Sequence, residues 1–235
     1  DLQAELAKGL ILLGLVYYKF GETAEALESF QKGCSLYDAL DFRSYYCQHD
    51  SASILHHIGI AFYYLKKYES AIVPLKHSCI LYEEMVKTGI GEYRSELAAV
   101  LYLLAKTKYY VEHNELLFDS SMEATFRLYS SIIPPLQQSC DLYKILISKE
   151  KHIHLRSELA KSLVLQGVVF DYLGQRDHTI NPNYAIAFFQ QSKLIYQQLR
   201  EEKHIQYLTD FSDMLMLWAY TLADISLRYT PNDDI

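Results

Sequence analysis

The chain reads as all-α and repetitive, a row of antiparallel helix pairs. Two observations carry that reading. A block at Gln31 to Leu40 (QKGCSLYDAL) returns as Lys76 to Met85 (KHSCILYEEM), Gln137 to Leu146 (QQSCDLYKIL) and Gln190 to Leu199 (QQSKLIYQQL). Tyr37, Tyr82, Tyr143 and Tyr196 align in these copies, as do Leu40, Met85, Leu146 and Leu199. Upstream of each copy lies a helical run with a small residue near its middle: Gly14, Gly59, Ala105 and Gly167. Two helical blocks in fixed order, written four times, mark an array in which each unit packs on its neighbours.

The elements follow in order. Residues Leu2 to Phe20 carry Leu6, Leu10, Leu13 and Tyr17 at helical spacing, and Gly21 ends that helix. Glu22-Thr23 opens the next, whose seam is Ala26, Phe30, Gly33 and Tyr37. Asp41 to Asp50 reads as a connection, with Asp50 or Ser51 as a helix cap. The second unit repeats the plan with Leu55, Ile58, Gly59 and Phe62, then Ala71, Leu75, Ser78 and Tyr82. Pro74 is expected early in its helix, where a missing N–H costs little. Thr88-Gly89-Ile90-Gly91 is a break. The third unit starts at Ser95-Glu96-Leu97-Ala98 and carries an insertion within Glu112 to Ser131, inside which Ser120-Ser121-Met122-Glu123 would cap a helical extension. Pro135 matches Pro74. The fourth starts at Ser157-Glu158-Leu159-Ala160, with a loop at Asn181-Pro182-Asn183 before Ala185, Phe189 and Ser192. Leu208 to Arg228 forms one last helix, and Thr230 to Ile235 a polar tail. The repeats are thus expected at 2–46, 50–90, 95–150 and 157–203, with a terminal helix at 208–228, all in one domain over 1–235.

Composition narrows the function classes. Of 235 residues, half are apolar, ample for a core, and the few Pro and Gly argue against long linkers. The net charge is −7 and the Lys and Arg are scattered, which argues against binding nucleic acid through its phosphates. No run is long and apolar enough to span a membrane. No stretch reads as a signal peptide, and Asp1, in place of an initiator methionine, fits an excised segment. Cys34, Cys79 and Cys140 hold one equivalent place in successive units. Such places lie on the order of 10 Å apart in side-by-side helices, too far for a disulfide. They read as buried thiols in a reducing, cytoplasmic setting.

The residues Leu10, Leu13, Gly14, Tyr17, Ala26, Phe30 and Gly33 resemble the tetratricopeptide repeat, and Leu55, Ile58, Gly59, Phe62, Ala71, Leu75 and Ser78 match it again. The spacing from Gly14 to Gly59 is 45, longer than the motif's usual period, and the closing proline is absent. The third unit departs most, with Lys108 at an aromatic place and Ile132 for Ala. The chain therefore looks like the long-repeat variety. The resemblance implies a right-handed superhelical solenoid of about four and a half repeats.

The same resemblance implies where a partner binds. In such arrays the first helices line a concave groove, at offsets of minus three, plus one and plus four from the small residue. Those places are Ile11, Leu15 and Tyr18; His56, Ile60 and Tyr63; Tyr102, Lys106 and Tyr109; Val164, Val168 and Asp171. Lys19 interrupts the row, and Tyr64, Tyr110 and Tyr172 sit at its edge. The Lys and Asn that would clamp a carboxylate tail in chaperone-binding members are replaced by Ile11, Leu15, His56 and Ile60, so no affinity for such a tail is expected. The chain has 21 tyrosines, and a ladder of Tyr18, Tyr63, Tyr102 and Tyr109 would suit an amphipathic helix or extended segment with some acidic residues.

Catalytic and cofactor motifs are missing: no phosphate loop, nucleophile elbow, HExxH or CxxC occurs. Cys47, His49, His56 and His57 form a ligand-like cluster, but a polar loop beside a helix explains them better than zinc. No enzyme, cofactor or metal is expected. The leading reading is a protein-interaction scaffold binding a partner peptide or helix. The alternative is a regulatory or sensing arm of a larger, bacterial enzyme or signalling protein. Met214, Leu215, Met216, Leu217, Trp218 and Tyr220 make the last helix apolar on most sides, so self-association through Met214, Leu217 and Trp218 is a further expectation.

Overall fold

The computed structural model describes residues 2–38, 48–89, 93–116, 121–149, 152–202 and 208–229. Among them are nine α-helices and no strand: α1 Leu2–Lys19, α2 Thr23–Asp38, α3 Gln48–Tyr64, α4 Tyr68–Lys87, α5 Arg94–Leu116, α6 Met122–Lys149, α7 Arg156–Arg176, α8 Asn183–Glu201 and α9 Leu208–Tyr229. A 3₁₀ turn, Ile153–Leu155, leads into α7. The chain divides into two compact units, Asp1–Asn114 and Glu115–Ile235. In the first, α1 pairs with α2 and α3 with α4, and α3 packs on α1 and α2. In the second, α7 pairs with α8, α6 packs on α7, and α9 packs on α8 and α7.

The three pairs α1/α2, α3/α4 and α7/α8 each rest on the expected small residue. A Cβ built on Gly14 would lie 2.6 Å from the Phe30 ring; on Gly59, 2.3 Å from Leu75; on Gly167, 2.9 Å from the Phe189 ring. Gly14 meets Ala26 and Phe30, while Gly33 meets Ile11 and Ala7, so α1 and α2 run antiparallel. Ala26, Ala71 and Ala185 are buried with these knobs; Ala105 of α5 is buried in the first unit, and Ile132, Leu136 and Ser139 of α6 in the second. Further along, the Ser78 hydroxyl donates to the Ala52 carbonyl at 2.7 Å, and Ser192 to the Ala160 carbonyl at 3.1 Å. Gly33, at the matching place, lies against the Ala7 carbonyl. Tyr82, Tyr143 and Tyr196 are buried as their alignment implies. The Tyr37 side chain, Leu40 and the connection at 41–47 lie outside the described residues, as do parts of the breaks at 90–92 and 117–120 and the tail from 230.

The turns inside the first two pairs are also copies. At the end of α1 the Gly21 N–H donates to the Tyr18 carbonyl (3.1 Å) and the Glu22 N–H to that of Tyr17 (3.0 Å). At the end of α3 Lys66 bonds Tyr63 (3.0 Å) and Lys67 bonds Phe62 (2.9 Å). Both are Schellman ends, which need a left-handed residue just past the helix. Gly21 takes φ 81° there, and Lys66 takes φ 58°. Lys66 carries a Cβ penalty that Gly21 does not. The fourth pair turns differently. There Asp177 Oδ1 accepts the Thr179 N–H (2.9 Å), and Asn181 Oδ1 accepts the Asn183 N–H (2.9 Å), two side-chain-stabilised turns in the longer loop.

The insertion holds the helical extension that its cap signal implied: α5 runs on to Leu116 and α6 begins at Met122 and is 28 residues long. Ser121 caps it as expected, its Oγ accepting the Ala124 N–H at 3.2 Å. One expectation about the helices is corrected: Pro74 is not near a helix start. It lies inside α4, and Pro134 and Pro135 lie inside α6. Each removes a main-chain hydrogen bond from a helix interior, a real cost rather than a small one. Pro74 is itself buried, so packing offsets part of it. Among the described cysteines, Cys34, Cys79 and Cys140 are buried thiols outside any disulfide, and burial pushes those of Cys79 and Cys140 up to about 12.

Two substitutions test these contacts. Gly59→Ala gains about 1 kcal/mol of helix propensity but crowds a fully buried Leu75, a loss of about 1–3 kcal/mol. A net fall in denaturant stability is expected, and the pair Gly59→Ala/Leu75→Ala should lose less than the two single changes added together. Lys66→Gly should instead raise stability by about 1 kcal/mol by relieving the left-handed backbone, and Gly21→Ala should lower it by a similar amount. Equal stability of parent and Lys66→Gly in urea titrations would remove the argument.

Candidate functional site

The first unit gathers tyrosines where the ends of α1 and α3, the start of α4 and the second half of α5 come together. Tyr18 sets its ring 4.5 Å from Tyr64, and Tyr64 stacks on the buried Phe30 at 5.9 Å with planes 7° apart. Tyr63 touches Tyr64 (5.6 Å), Tyr68 (5.6 Å) and Tyr110 (5.9 Å). Tyr68 stacks on Tyr110 at 4.9 Å, and Tyr109 lies between Tyr110 (5.8 Å) and His113 (5.5 Å). The Lys106 ammonium stands 5.3 Å from the Tyr63 ring and 5.8 Å from that of Tyr102. The result is one connected aromatic surface with a cation over it. Burial, then the neighbouring Tyr110, holds the Tyr63 hydroxyl far above its ordinary range, so it stays neutral. Tyr68 was not among the expected residues. It opens α4 and enters because the tight Lys66-Lys67 turn folds it back beside Tyr63.

The residues at the expected offsets differ in burial. Tyr18 is exposed, and Tyr63, Tyr64, Tyr102, Lys106, Tyr109 and Tyr110 are half-buried at the surface. Ile11 does not face a groove. It is fully buried against Gly33, in a cluster with Phe30, Ile54 and Ile58, and Leu15 packs on the same cluster. The cause is that α3 packs directly on α1, so offsets of minus three and plus one face the neighbouring helix. The second unit shows the same. Val164 and Val168 pack on the cluster of Ala160, Phe189, Phe211 and Met214, beneath α9, and Asp171 accepts a hydrogen bond from Thr221 of α9 at 3.2 Å. Tyr172 is half-buried with the Arg176 guanidinium 5.1 Å from its ring. Ile60 is half-buried. The Lys19 side chain lies outside the described residues.

The second unit has an aromatic group of its own that spacing did not reveal: Phe170 touches Tyr129 (6.3 Å), Tyr184 (5.6 Å) and Phe188 (5.4 Å). Tyr129 belongs to the helical extension, which has no counterpart in the other units to align with. In the C-terminal helix Met214 is buried in the core, Trp218 is half-buried with Lys193 at 5.0 Å from its ring, and Leu217 is exposed. The α9 helix is held by Lys161 of α7, which bonds Glu158 (3.1 Å) and reaches Asp210 (3.4 Å). Burial opposes charge on Lys161, but these carboxylates raise its pKa overall.

No group of three or more His, Cys, Asp or Glu among the described residues is placed to hold a metal ion. Cys47 and the side chain of His49 lie outside those residues. His56 and His57 are half-buried with rings 5.8 Å apart. His57 donates Nδ1–H to the Ser53 carbonyl at 2.6 Å, which fixes its neutral tautomer. No helix among the described residues is long and apolar enough to cross a membrane. No protein-family model matches the chain, and no curated protein is detectably similar to it.

The histidine pair makes stability pH-dependent in a defined window. Burial, then the His57 charge, pushes His56 down to about 3, and burial also lowers His57. Above the ordinary histidine pKa both states are neutral. As pH falls below about 6.5 the unfolded chain takes up protons that the folded chain refuses, so stability drops. Glu28 and Asp177 are lowered too, but they titrate below this window. Between pH 7 and pH 5 a loss of about 1–3 kcal/mol is expected. Urea titrations of the parent and of His56→Gln/His57→Gln check it: the variant should show a flatter profile.

Proposed function

We propose that the chain is a protein-interaction scaffold of the tetratricopeptide kind, and that the tyrosine surface of its first unit receives a helix or extended segment of a partner protein. The recurring pairs, with a small residue under a bulky knob and Schellman turns between helices, support the repeat reading. The connected rings of Tyr18, Tyr64, Tyr63, Tyr110 and Tyr109, with Lys106 over two tyrosines, carry the binding reading. Rings supply large contact area at low entropic cost, and their hydroxyls keep the free surface compatible with water. The ligand that suits them is amphipathic, with apolar or aromatic anchors and acidic residues for Lys106.

Selection from a random peptide library displayed on phage tests this and requires no named partner. Enriched peptides should combine apolar anchors with Asp or Glu. Tyr63→Ala or Tyr109→Ala should weaken the best peptide by roughly 30-fold, the hot-spot range of about 2 kcal/mol, and Lys106→Glu should weaken it as well. Tyr82→Ala should do something else, because that ring is buried. It should lower stability by about 3–5 kcal/mol, as large core truncations do. Peptides that bind Tyr63→Ala, Tyr109→Ala and Lys106→Glu as well as the parent would overturn the assignment.

A further inference from the structure

The turn between α3 and α4 carries a charge that its backbone does not require. At the end of α1 the two Schellman bonds come from Gly21 and Glu22; at the end of α3 the same two come from Lys66 and Lys67. One turn thus bears a single acid and its copy bears two lysines. At Lys66, glycine would take the left-handed backbone without the Cβ penalty. Lys67, the residue before α4, makes no side-chain cap bond. Fold geometry therefore accounts for neither lysine. Both are exposed, and neither joins an ion pair or stands over a ring among the described residues. Glu69, just past Tyr68, pairs with neither.

Their place is the rim of the tyrosine surface. The Lys66 N–H bonds the Tyr63 carbonyl at 3.0 Å, and Lys67 directly precedes Tyr68, whose ring lies against Tyr63 and Tyr110. Lys106 reaches the same Tyr63 ring from α5, its ammonium 5.3 Å away. Cations from two elements thus border these rings, in a chain whose net charge is −7. From the Lys106 ammonium to Tyr63 is 5.3 Å, and from Tyr63 to Tyr68 a further 5.6 Å. Extended chain, at roughly 3.4 Å a residue, covers that path in about three residues. We infer that the segment received here carries two acidic residues about three apart, one for Lys106 and one for the Lys66-Lys67 turn, with an apolar anchor between them. This requirement rests on the binding reading of the tyrosine surface and adds the turn as a determinant of specificity. The two contacts act differently. Lys66 and Lys67 are solvated, so they speed association and weaken with salt. Lys106 is half-buried against rings, so its loss shows in dissociation.

Peptides selected on the parent from a random library displayed on phage are the probe, with binding rates and affinities measured on the full chain. The best peptide should show acid, apolar residue and acid in that spacing. Changing either acid to its amide should cost about fivefold in affinity, near the upper range for an exposed ion pair. Lys66→Gly/Lys67→Gln should bind the best peptide about fivefold more weakly, through slower association and with a flatter salt dependence. Its urea midpoint should be no lower than the parent's. Where the midpoint falls, Lys66→Asn/Lys67→Gln replaces it, since asparagine also accepts the left-handed backbone. The peptide lacking the acid for the turn should bind this variant and the parent alike, yet still lose affinity to Lys106→Gln. A best peptide that needs Tyr63 but binds Lys66→Gly/Lys67→Gln as tightly as the parent at low salt overturns the role of the turn and leaves the surface standing. A best peptide indifferent to Tyr63→Ala and Tyr109→Ala overturns both.

Discussion

A bulky side chain laid on the bare backbone of a facing helix is the contact on which the rest of this structure depends. Phe30 on Gly14, Leu75 on Gly59 and Phe189 on Gly167 bring each helix pair closer than any Cβ at those glycines would allow. Close approach has a second consequence one turn further on. The serine at the end of each seam comes within hydrogen-bond reach of the facing main chain, so Ser78 and Ser192 find partners in the Ala52 and Ala160 carbonyls. A buried hydroxyl without a partner would be costly. The polar residues in the seam are therefore products of the same geometry, and α1 and α2 keep that geometry with a glycine at the serine's place.

Once the pairs are set, the turns between them follow. A Schellman end reverses the chain with two hydrogen bonds and requires one left-handed residue. The first pair meets the requirement with Gly21. The second meets it with Lys66, at the same place in the repeat and with the same bonds. Lysine there is strained, yet the turn it makes brings Tyr68 beside Tyr63 and Tyr110. Local strain and the aromatic surface thus share one turn.

The pairing and the buried seams were legible because period and spacing alone determine which residues of a helix face its partner. Gly14, Phe30, Ser78 and Tyr82 are where the repeat puts them. What spacing does not contain is what lies on the remaining sides. Ile11 and Tyr18 sit on neighbouring sides of α1, and only the arrival of α3 makes one core and the other surface. Met214 is core for the same reason, through the placement of α8 and α7 against it. The insertion is visible as extra length, but length does not distinguish a loop from two longer helices. Pro134 and Pro135 would ordinarily argue for the loop, and α6 runs through both.

Charge explains why the tyrosine surface need not be merely core. The chain as a whole is acidic, at −7, so its long-range field disfavours an acidic partner. Lys106 stands against that field locally, over rings whose faces are negative and attract its ammonium. Burial keeps Tyr63, beneath that ammonium, a neutral phenol. An approaching segment would then meet apolar faces beside the Lys106 ammonium. If it binds as proposed, such a surface would select by placement of an acidic residue among apolar anchors, not by total charge. Complementarity of this kind sets register and specificity more than raw affinity. That is the behaviour a scaffold requires if it is to hold one segment of a partner in one register while its own helix pairs stay fixed.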